Sequence, residues 1–200
     1  KGETIDKLLV DGHATISLGY IGLYELTKLM TGESHTTPKG QEFALKVMQK
    51  LRAAVDDWKA ETGLGFGLYG TPAECFAKID LAKFGEIEDV TDKGYYTNSY
   101  HVDVREDIDA FSKLQFESQF QPISTGGCIS YIEIPNMAKN LDAMTQVVEY
   151  MYDNIQYAEF NTKSDYCQCC GFDQEIIINA DNQWECPQCG NKDRAKLNVV

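Results

Sequence analysis

Four cysteines in the last part of the chain have the residue type and spacing of a metal site. The segment YCQCCGFDQEIIINADNQWECPQCGN contains two Cys-x-x-Cys pairs separated by fifteen residues. Two short-spaced pairs around a loop of this length match the four-cysteine zinc pattern. We expect the ligands to be Cys167, Cys170, Cys186 and Cys189. Because four thiolates fill a tetrahedral shell, the ion should be structural, with no position left for water or substrate.

Two other interpretations of the same spacing stay open. The pairs could form disulfides, and the stretch CPQCG would also suit an iron site of the rubredoxin type. Zinc is favoured over iron because electron-transfer domains of that type normally stand alone. Cys169 lies inside the first pair, but it is adjacent to Cys170 and cannot form the usual turn around an ion. We therefore expect Cys169 to be a bystander.

The residues around the cysteines predict the local structure that positions them. Gly171 and Gly190 follow the two pairs, where a tight turn needs a residue that tolerates positive φ. Between the pairs, EIII, NADN and QWE predict a strand, a turn and a second strand. The module is therefore expected to be a zinc ribbon.

Before this module, strand and helix patterns alternate along the chain. HATISLGYIG and LGFGLYG are short apolar runs typical of buried strands, and a long helix is predicted from Pro38 to Gly63. Thr71-Pro72-Ala73-Glu74 resembles a capping box that opens another helix. Further on, a strand from Cys128 to Ile134 precedes one more helix and strand. Alternation with long crossovers predicts an α/β sheet or part of a β/α barrel.

Two polar stretches outside the cysteine module are candidate binding elements. The turn STGG (Ser124, Thr125, Gly126 and Gly127) could cradle a phosphate with its backbone N–H groups, or could simply turn the chain before a strand. The loop YYTNSYHV could line a pocket or lie on the surface with its own hydrogen bonds. Cys75 and Cys128 stand in apolar surroundings and are expected to be inert core thiols.

Composition narrows the class of protein. The net charge is −13, and an acidic surface repels phosphate backbones, so we expect no nucleic-acid partner. No run of about eighteen apolar residues and no signal peptide is present, so no membrane partner is expected. Seven cysteines, four of them placed for metal, indicate a reducing compartment and a cytoplasmic protein. The chain starts at Lys1 with helical periodicity already under way, so we expect it to be a piece of a longer polypeptide.

Five separated motifs, taken in order, resemble the anaerobic (class III) ribonucleoside-triphosphate reductases. They are GHATISLGYIGLYE, YGTPAE, YYTNSYHV, ISTGG and the final CxxCGF…CPxCGN. The resemblance spans essentially all 200 residues and corresponds to the C-terminal third of those enzymes. It implies an α/β fold in which residues 1–160 are part of a ten-stranded β/α barrel of the glycyl-radical enzyme type and residues 161–200 are a zinc ribbon.

The resemblance also implies a chemistry. Such enzymes store a radical on a C-terminal glycine, pass it to a cysteine inside the barrel, and remove the 3′ hydrogen of a ribonucleoside triphosphate. A radical S-adenosylmethionine activating enzyme with an iron–sulfur cluster installs the radical, ATP and dATP act as effectors, and the full-length protein is a homodimer. Formate or a thiol system supplies the reducing equivalents. The ribbon would fix the point from which the radical-bearing tail enters the barrel.

Two departures from the family pattern limit what can be assigned to residues of this chain. The glycyl-radical stretch Arg-x-Cys-Gly-x-x-Gly is expected directly after LNVV, and the loop with the thiyl cysteine is expected before Lys1. Neither Cys75 nor Cys128 lies in that loop's motif, so no catalytic residue is assigned and the chain is expected to be inactive alone. The alternatives are a non-enzymatic zinc-ribbon interaction module on an α/β scaffold and, less favoured because of the terminal ribbon, another glycyl-radical enzyme such as a formate-lyase.

Overall fold

The computed structural model describes residues 2, 5–10, 14–71, 83, 85–134, 137, 140–162 and 165–199. The chain divides into two compact units. One unit comprises Lys1–Ser130 with Asn154–Tyr157, and the other comprises Tyr131–Asp153 with Ala158–Val200. The domain boundary between residues 160 and 161 stays a prediction about the complete protein.

The first unit is a mixture of helices and parallel strands, as the sequence predicts. Within the described residues, its helices are α1 (Asp6–Leu9), α2 (Leu23–Thr31), α3 (Pro38–Thr62) and α4 (Ala110–Glu117), and its strands are β1 (Ile16–Tyr20) and β2 (Phe66–Gly70). The helix predicted after Thr71 lies outside the described residues, as does Cys75. The segment 85–109 has no regular helix or strand.

Strands β1 and β2 run parallel, and their carboxyl ends lie beside the STGG turn. Their register pairs Ile16 with Phe66 and Tyr20 with Gly70. A parallel bridge between Tyr69 and Gly126 then brings the STGG turn beside the carboxyl end of β2. Parallel pairing needs long crossovers, and here the crossover between β1 and β2 is made by α2 and α3. The predicted α/β class is confirmed.

Helix α3 begins and ends at the residues that the sequence indicates. The Thr37 hydroxyl accepts a hydrogen bond from the Gly40 N–H at 3.2 Å, and Pro38 follows at the first helical position. Gly63 ends the helix in the left-handed conformation with a φ of 70°. The helix packs its buried side into the core of the first unit, which consists of Leu23, Ala44, Met48, Val55, Leu68, Tyr100, Val102, Phe116 and Phe120. Trp58, near the end of the helix, is 40% exposed.

A fully buried glutamine connects several backbone segments of the first unit. Gln121 Nε2 lies 3.0 Å from the Cys128 carbonyl oxygen and 2.8 Å from the Tyr157 carbonyl oxygen. Gln121 Oε1 accepts a hydrogen bond from the Gln156 N–H at 2.7 Å. The Tyr157 carbonyl oxygen also accepts from the Ser130 N–H at 3.0 Å. Since buried backbone groups need partners, the Gln121 side chain supplies them for Cys128 and Gln156 and adds one for Tyr157.

The second unit contains the remaining elements, each short except one helix. Strands β3 (Ser130–Ile134) and β4 (Ala158–Thr162) form a two-stranded sheet, and helix α5 (Leu141–Asn154) connects them. The cysteine module follows with strands β5 (Tyr166–Cys167), β6 (Ile177–Ile178), β7 (Trp184–Glu185) and β8 (Leu197–Asn198). Within the described residues, no helix is long and apolar enough to cross a membrane.

The Gln121 network gives a test of the first unit's stability. We expect Gln121→Leu to lower the free energy of unfolding by about 2–4 kcal/mol, because the substitution removes the Gln121 partner of the Cys128 carbonyl oxygen and of the Gln156 N–H. Urea unfolding measures this difference. Gln119→Leu is the matched control because Gln119 is exposed, and it should change stability by less than about 0.5 kcal/mol. Equal effects of the two substitutions would contradict the role given to Gln121.

Candidate functional site

The structure brings the four predicted cysteine ligands together. Their sulfur atoms all lie within 4.8 Å of one another. Cys167 Sγ is 3.7 Å from Cys189 Sγ, and Cys170 Sγ is 3.6 Å from Cys186 Sγ. Four sulfurs at about 2.3 Å from one tetrahedral ion are about 3.8 Å apart, whereas a disulfide needs about 2.05 Å. The cluster therefore fits a metal ion, and all four cysteines are free thiols.

The two ligand pairs have the same backbone turn. In the first, the Gly171 N–H donates to the Cys167 carbonyl oxygen at 2.9 Å, and in the second the Gly190 N–H donates to the Cys186 carbonyl oxygen at 2.8 Å. Both glycines have positive φ, 73° and 71°, as the sequence predicts. The repeated turn aims both sulfurs of each pair at one point, which is the requirement for a shared ion.

Hydrogen bonds favour the thiolate form of one of the four cysteines, Cys167. Burial alone would raise the pKa of the Cys167 thiol, but the N–H groups of Cys169 and Cys170 and the contacts with Cys189 and Asn191 lower it to about 6. The Asn191 N–H lowers the pKa of Cys189, yet the crowded neighbouring thiols raise it to about 12. Four adjacent thiolates repel one another unless a cation lies between them.

The rest of the module holds these turns in place. Strands β6 and β7 pair antiparallel, with Ile178 opposite Trp184, as the ribbon prediction requires. Strand β8 pairs antiparallel with β5, so that Leu197 lies opposite the ligand Cys167. Asp165 Oδ2 accepts a hydrogen bond from the Ile176 N–H at 2.8 Å. The segments before, between and after the ligand pairs are thereby tied to the cluster.

Of two residues next to the ligands, Cys169 lies outside the sulfur cluster and Asn191 contacts it. Cys169 is exposed and does not belong to the group of four sulfurs, in line with the bystander role expected for it. Asn191 was not singled out from the sequence, yet its Nδ2 lies 3.7 Å from Cys167 Sγ. Only its position two residues after Cys189 could have pointed to it.

The STGG turn occupies the carboxyl end of β2 in the first unit. The N–H groups of Thr125 and Gly126 donate to the Leu68 carbonyl oxygen at 2.9 and 3.2 Å. The Ser124 hydroxyl lies 2.5 Å from the Tyr20 hydroxyl. The Thr125 hydroxyl also donates to the Leu68 carbonyl oxygen, at 3.1 Å. A phosphate would therefore have to contact the Ser124 hydroxyl or the Gly127 N–H. The phosphate contact stays a prediction.

Close packing explains why glycines occupy the turn. A Cβ on Gly126 would lie 3.1 Å from Cδ2 of the Tyr69 ring. A Cβ on Gly127, which has a φ of 64°, would lie 3.0 Å from the same ring and would also meet the Gly70 carbonyl oxygen. Both positions therefore need glycine for the backbone to approach β2. Cys128, directly after the turn, is partly buried, and burial raises the pKa of its thiol.

The loop YYTNSYHV is held by charged groups that the sequence did not reveal as a cluster. Lys93, Glu25 and Asp103 form two ion pairs among side chains that are at most 5% exposed. The Thr97 hydroxyl lies 2.9 Å from Glu25 Oε1 and 3.1 Å from Asp103 Oδ2. Although burial would raise the pKa of Asp103, hydrogen bonds from Lys93 and Arg105 lower it to about 2. The carboxylate therefore stays ionised at neutral pH.

The loop's remaining residues are mostly enclosed. Ser99 and Tyr100 are buried, and Tyr100 stacks on Phe120 with ring centroids 5.8 Å apart. His101 Nδ1 lies 3.3 Å from the buried Glu117 carboxylate. Asn98 and Tyr96 are partly exposed. The loop is thus neither a freely solvated surface loop nor a fully buried one, and its partly exposed side chains remain candidates for lining a pocket.

Comparisons with known proteins identify the relatives of this chain. The family model described as anaerobic ribonucleoside-triphosphate reductase matches residues 1–200. The curated relative from Escherichia coli (strain K12) is 41% identical over 204 aligned residues, which cover 99% of this chain and 28% of the relative. The relative from Enterobacteria phage T4 is 38% identical over 202 aligned residues, covering 99% of this chain and 32% of the relative. Both are anaerobic ribonucleoside-triphosphate reductases, and the chain spans about a third of their length or less.

Solved structures with the same fold are anaerobic ribonucleotide reductases. One matches with a TM-score of 0.65 at 21% identity, over 90% of this chain and 28% of that chain. The enzyme from Thermotoga maritima with MES in the active site matches with a TM-score of 0.65 at 20% identity, over 92% of this chain and 30% of that chain. A further Thermotoga maritima structure, in complex with dATP and CTP, matches with a TM-score of 0.61 at 20% identity, over 90% of this chain and 30% of that chain. At these identities the structural likeness establishes the fold.

The cluster predicts how cysteine substitutions change metal content. We expect one ion per chain, retained by Cys169→Ser and lost by Cys186→Ser, because only the latter opens the four-sulfur shell. Elemental analysis of the purified proteins measures the content and distinguishes zinc from iron. Full retention of the ion by Cys186→Ser, or its loss from Cys169→Ser, would show that the ligand set is wrong.

Proposed function

The chain belongs to the anaerobic ribonucleoside-triphosphate reductase family, and on that premise we propose that it is part of an oxygen-sensitive enzyme that reduces ribonucleoside triphosphates to deoxyribonucleoside triphosphates for DNA synthesis. The observation that carries this proposal is the family match over the whole chain. The arrangement of a parallel-strand unit followed by a four-cysteine module supports it, because the same order of motifs characterises the family.

The metal in this proposal is zinc with a structural role. Four thiolates complete a tetrahedral shell, so no ligand position is left for substrate or water. The ion would supply folding free energy to the module, with Cys167, Cys170, Cys186 and Cys189 as its ligands. These residues bind and orient the chain around the ion, and none of them takes part in a reaction step.

The radical chemistry and its partners are proposed on the same family premise. A radical S-adenosylmethionine activating enzyme with an iron–sulfur cluster would generate a glycyl radical in the complete enzyme, which would act as a cytoplasmic homodimer. ATP and dATP would be effectors. A Thermotoga maritima relative is described with dATP bound in the specificity site, which supports nucleotide regulation in this group. The competing proposal is a non-enzymatic interaction module built on the metal ribbon.

Substrate binding in this proposal involves the STGG turn of Ser124, Thr125, Gly126 and Gly127. In parallel α/β sheets, ligands bind at the carboxyl ends of the strands, and the turn lies beside that end of β2. The Ser124 hydroxyl and the Gly127 N–H are the donors of the turn that are suited to the oxygens of a triphosphate.

The reductase proposal predicts product formation by the complete enzyme. The full-length protein that carries these residues should convert CTP to dCTP under anaerobic conditions, once incubated with its activating enzyme, S-adenosylmethionine and a reductant. Chromatography of the nucleotides measures the product. A parallel reaction in air is the control and should give none, because the radical is oxygen-sensitive. A metal-loaded, folded protein that forms no deoxynucleotide under any of these conditions would favour the interaction module.

If Ser124 contacts the phosphate, substitutions of Ser124 and of its hydrogen-bond partner Tyr20 should change the KM for the ribonucleoside triphosphate by different amounts. Ser124→Ala in the complete enzyme should raise the KM for the ribonucleoside triphosphate about tenfold, equivalent to about 1.4 kcal/mol, because it removes both the Tyr20 bond and a phosphate partner. Tyr20→Phe removes only the bond between the two hydroxyls, which are 2.5 Å apart. Its KM should change about twofold or less. Equal KM values for the two variants would mean that Ser124 has only a structural role.

A further inference from the structure

A buried lysine lies at the centre of the cluster that holds the YYTNSYHV loop. The Lys93 ammonium is 2.6 Å from Glu25 Oε1 and 2.7 Å from Thr97 Oγ1, and it also donates to Asp103 Oδ2. Three N–H donors thus meet three oxygen acceptors. The rings of Tyr24 and Tyr95 lie 4.5 and 4.3 Å from the ammonium nitrogen. The Lys93 side chain is 2% exposed, and a charge this buried is stable only when each of its donors has an acceptor.

The cluster fixes the backbone of Thr97 from both sides. The Thr97 N–H donates to Glu25 Oε1 at 2.8 Å, and the Thr97 carbonyl oxygen accepts from the Gly22 N–H at 3.0 Å. Gly22 is the residue before helix α2 and follows strand β1 by two positions. The loop is therefore tied to the chain at the carboxyl end of β1.

Two residues further on, the loop contacts the carboxyl end of β2. Ser99 is buried with a φ of 39°, a left-handed conformation that its surroundings must hold. Its Cβ and the Gly127 carbonyl oxygen each lie 2.9 Å from the position that a Cβ on Gly70 would occupy. Ser99 and the STGG turn thus share the space that Gly70 leaves open.

We propose that Lys93 is a positioning residue that acts on substrate binding through Thr97 and Ser99. The inference rests on the proposed function, in which the STGG turn contacts the triphosphate. The Lys93 cluster holds Thr97, and the short chain from Thr97 to Ser99 transmits that position to the space beside Gly70. The Gly127 carbonyl oxygen lies at the edge of the same space. Without the ammonium, the STGG turn would still form, but its distance to the substrate would vary. Binding would weaken because the triphosphate needs several aligned contacts at once.

A purely structural role for the cluster gives a different expectation. A buried ion pair that only stabilises the fold would change the unfolding midpoint, and any loss of activity would follow the loss of stability. A positioning role changes KM beyond what the stability loss explains. It also increases the exchange of backbone amides in residues 95–103 while the rest of the first unit keeps its protection.

The test compares three variants of the complete enzyme under anaerobic conditions. Lys93→Met removes the ammonium and keeps most of the apolar stem. Thr97→Val is close to isosteric and removes only the hydroxyl between the two carboxylates, so it provides a milder variant if Lys93→Met does not fold. Val55→Ala truncates a fully buried side chain of α3 and is the control for stability loss alone. The measurements are KM and kcat for CTP reduction, thermal unfolding, and amide hydrogen exchange.

We expect Lys93→Met, or Thr97→Val in its place, to raise KM about tenfold with a smaller change in kcat, and to speed exchange in residues 95–103. Val55→Ala should change KM about twofold or less at a comparable loss of unfolding midpoint. If an active wild-type enzyme shows the same KM for all three variants, the positioning role is wrong and the reductase proposal stands. If the wild-type enzyme reduces no nucleotide, the reductase proposal fails first, and with it this inference.

Discussion

A polar group that folding removes from water must find a partner inside the protein, and this constraint shapes both units. In the first unit it is met by Lys93, whose three donors meet three acceptors, and by Gln121, which bonds to backbone groups of separate segments. In the second unit it applies to four sulfur atoms within 4.8 Å of one another. As thiolates these sulfurs would repel one another unless a positive charge lay between them. Lys93 and Gln121 thus find their partners among protein groups, whereas four thiolates at these distances would be balanced by a cation.

That difference follows from the amount of apolar surface each unit can bury. The first unit encloses aromatic and aliphatic side chains from α2, α3, α4 and β2. Among the residues that the structure describes, the core of the cysteine module has four buried members, and two of them, Cys167 and Cys186, are themselves predicted ligands. A core of this size contributes too little to offset the conformational entropy of the surrounding turns. An ion bound by the four cysteines would therefore form the principal part of the module's interior.

Local features of this structure could be predicted from the sequence, whereas contacts between distant segments could not. The ends of α3 follow from Thr37, Pro38 and Gly63, and the ligand set follows from the spacing of the cysteines, because both depend on residues a few positions apart. The pairing of Glu25 with Lys93 joins segments 68 positions apart, and nothing in either local pattern indicates it. For the same reason, the engagement of the STGG amides by the Leu68 carbonyl oxygen was not foreseen. Periodicity indicates which side chains are buried, but not which polar groups meet there.

The antiparallel pairing of β5 with β8 has a consequence for the architecture of the chain. Tyr166 lies opposite Asn198, so the chain enters and leaves the module at neighbouring points, about 5 Å apart between paired Cα atoms. The first and last strands of the module are therefore neighbours, and the residues between them form a closed loop. The hairpin between β6 and β7 could lengthen, shorten or change sequence over evolutionary time without displacing either end. A segment whose two ends are adjacent can be replaced by another of the same kind in a related protein, while the backbone before and after it keeps its course.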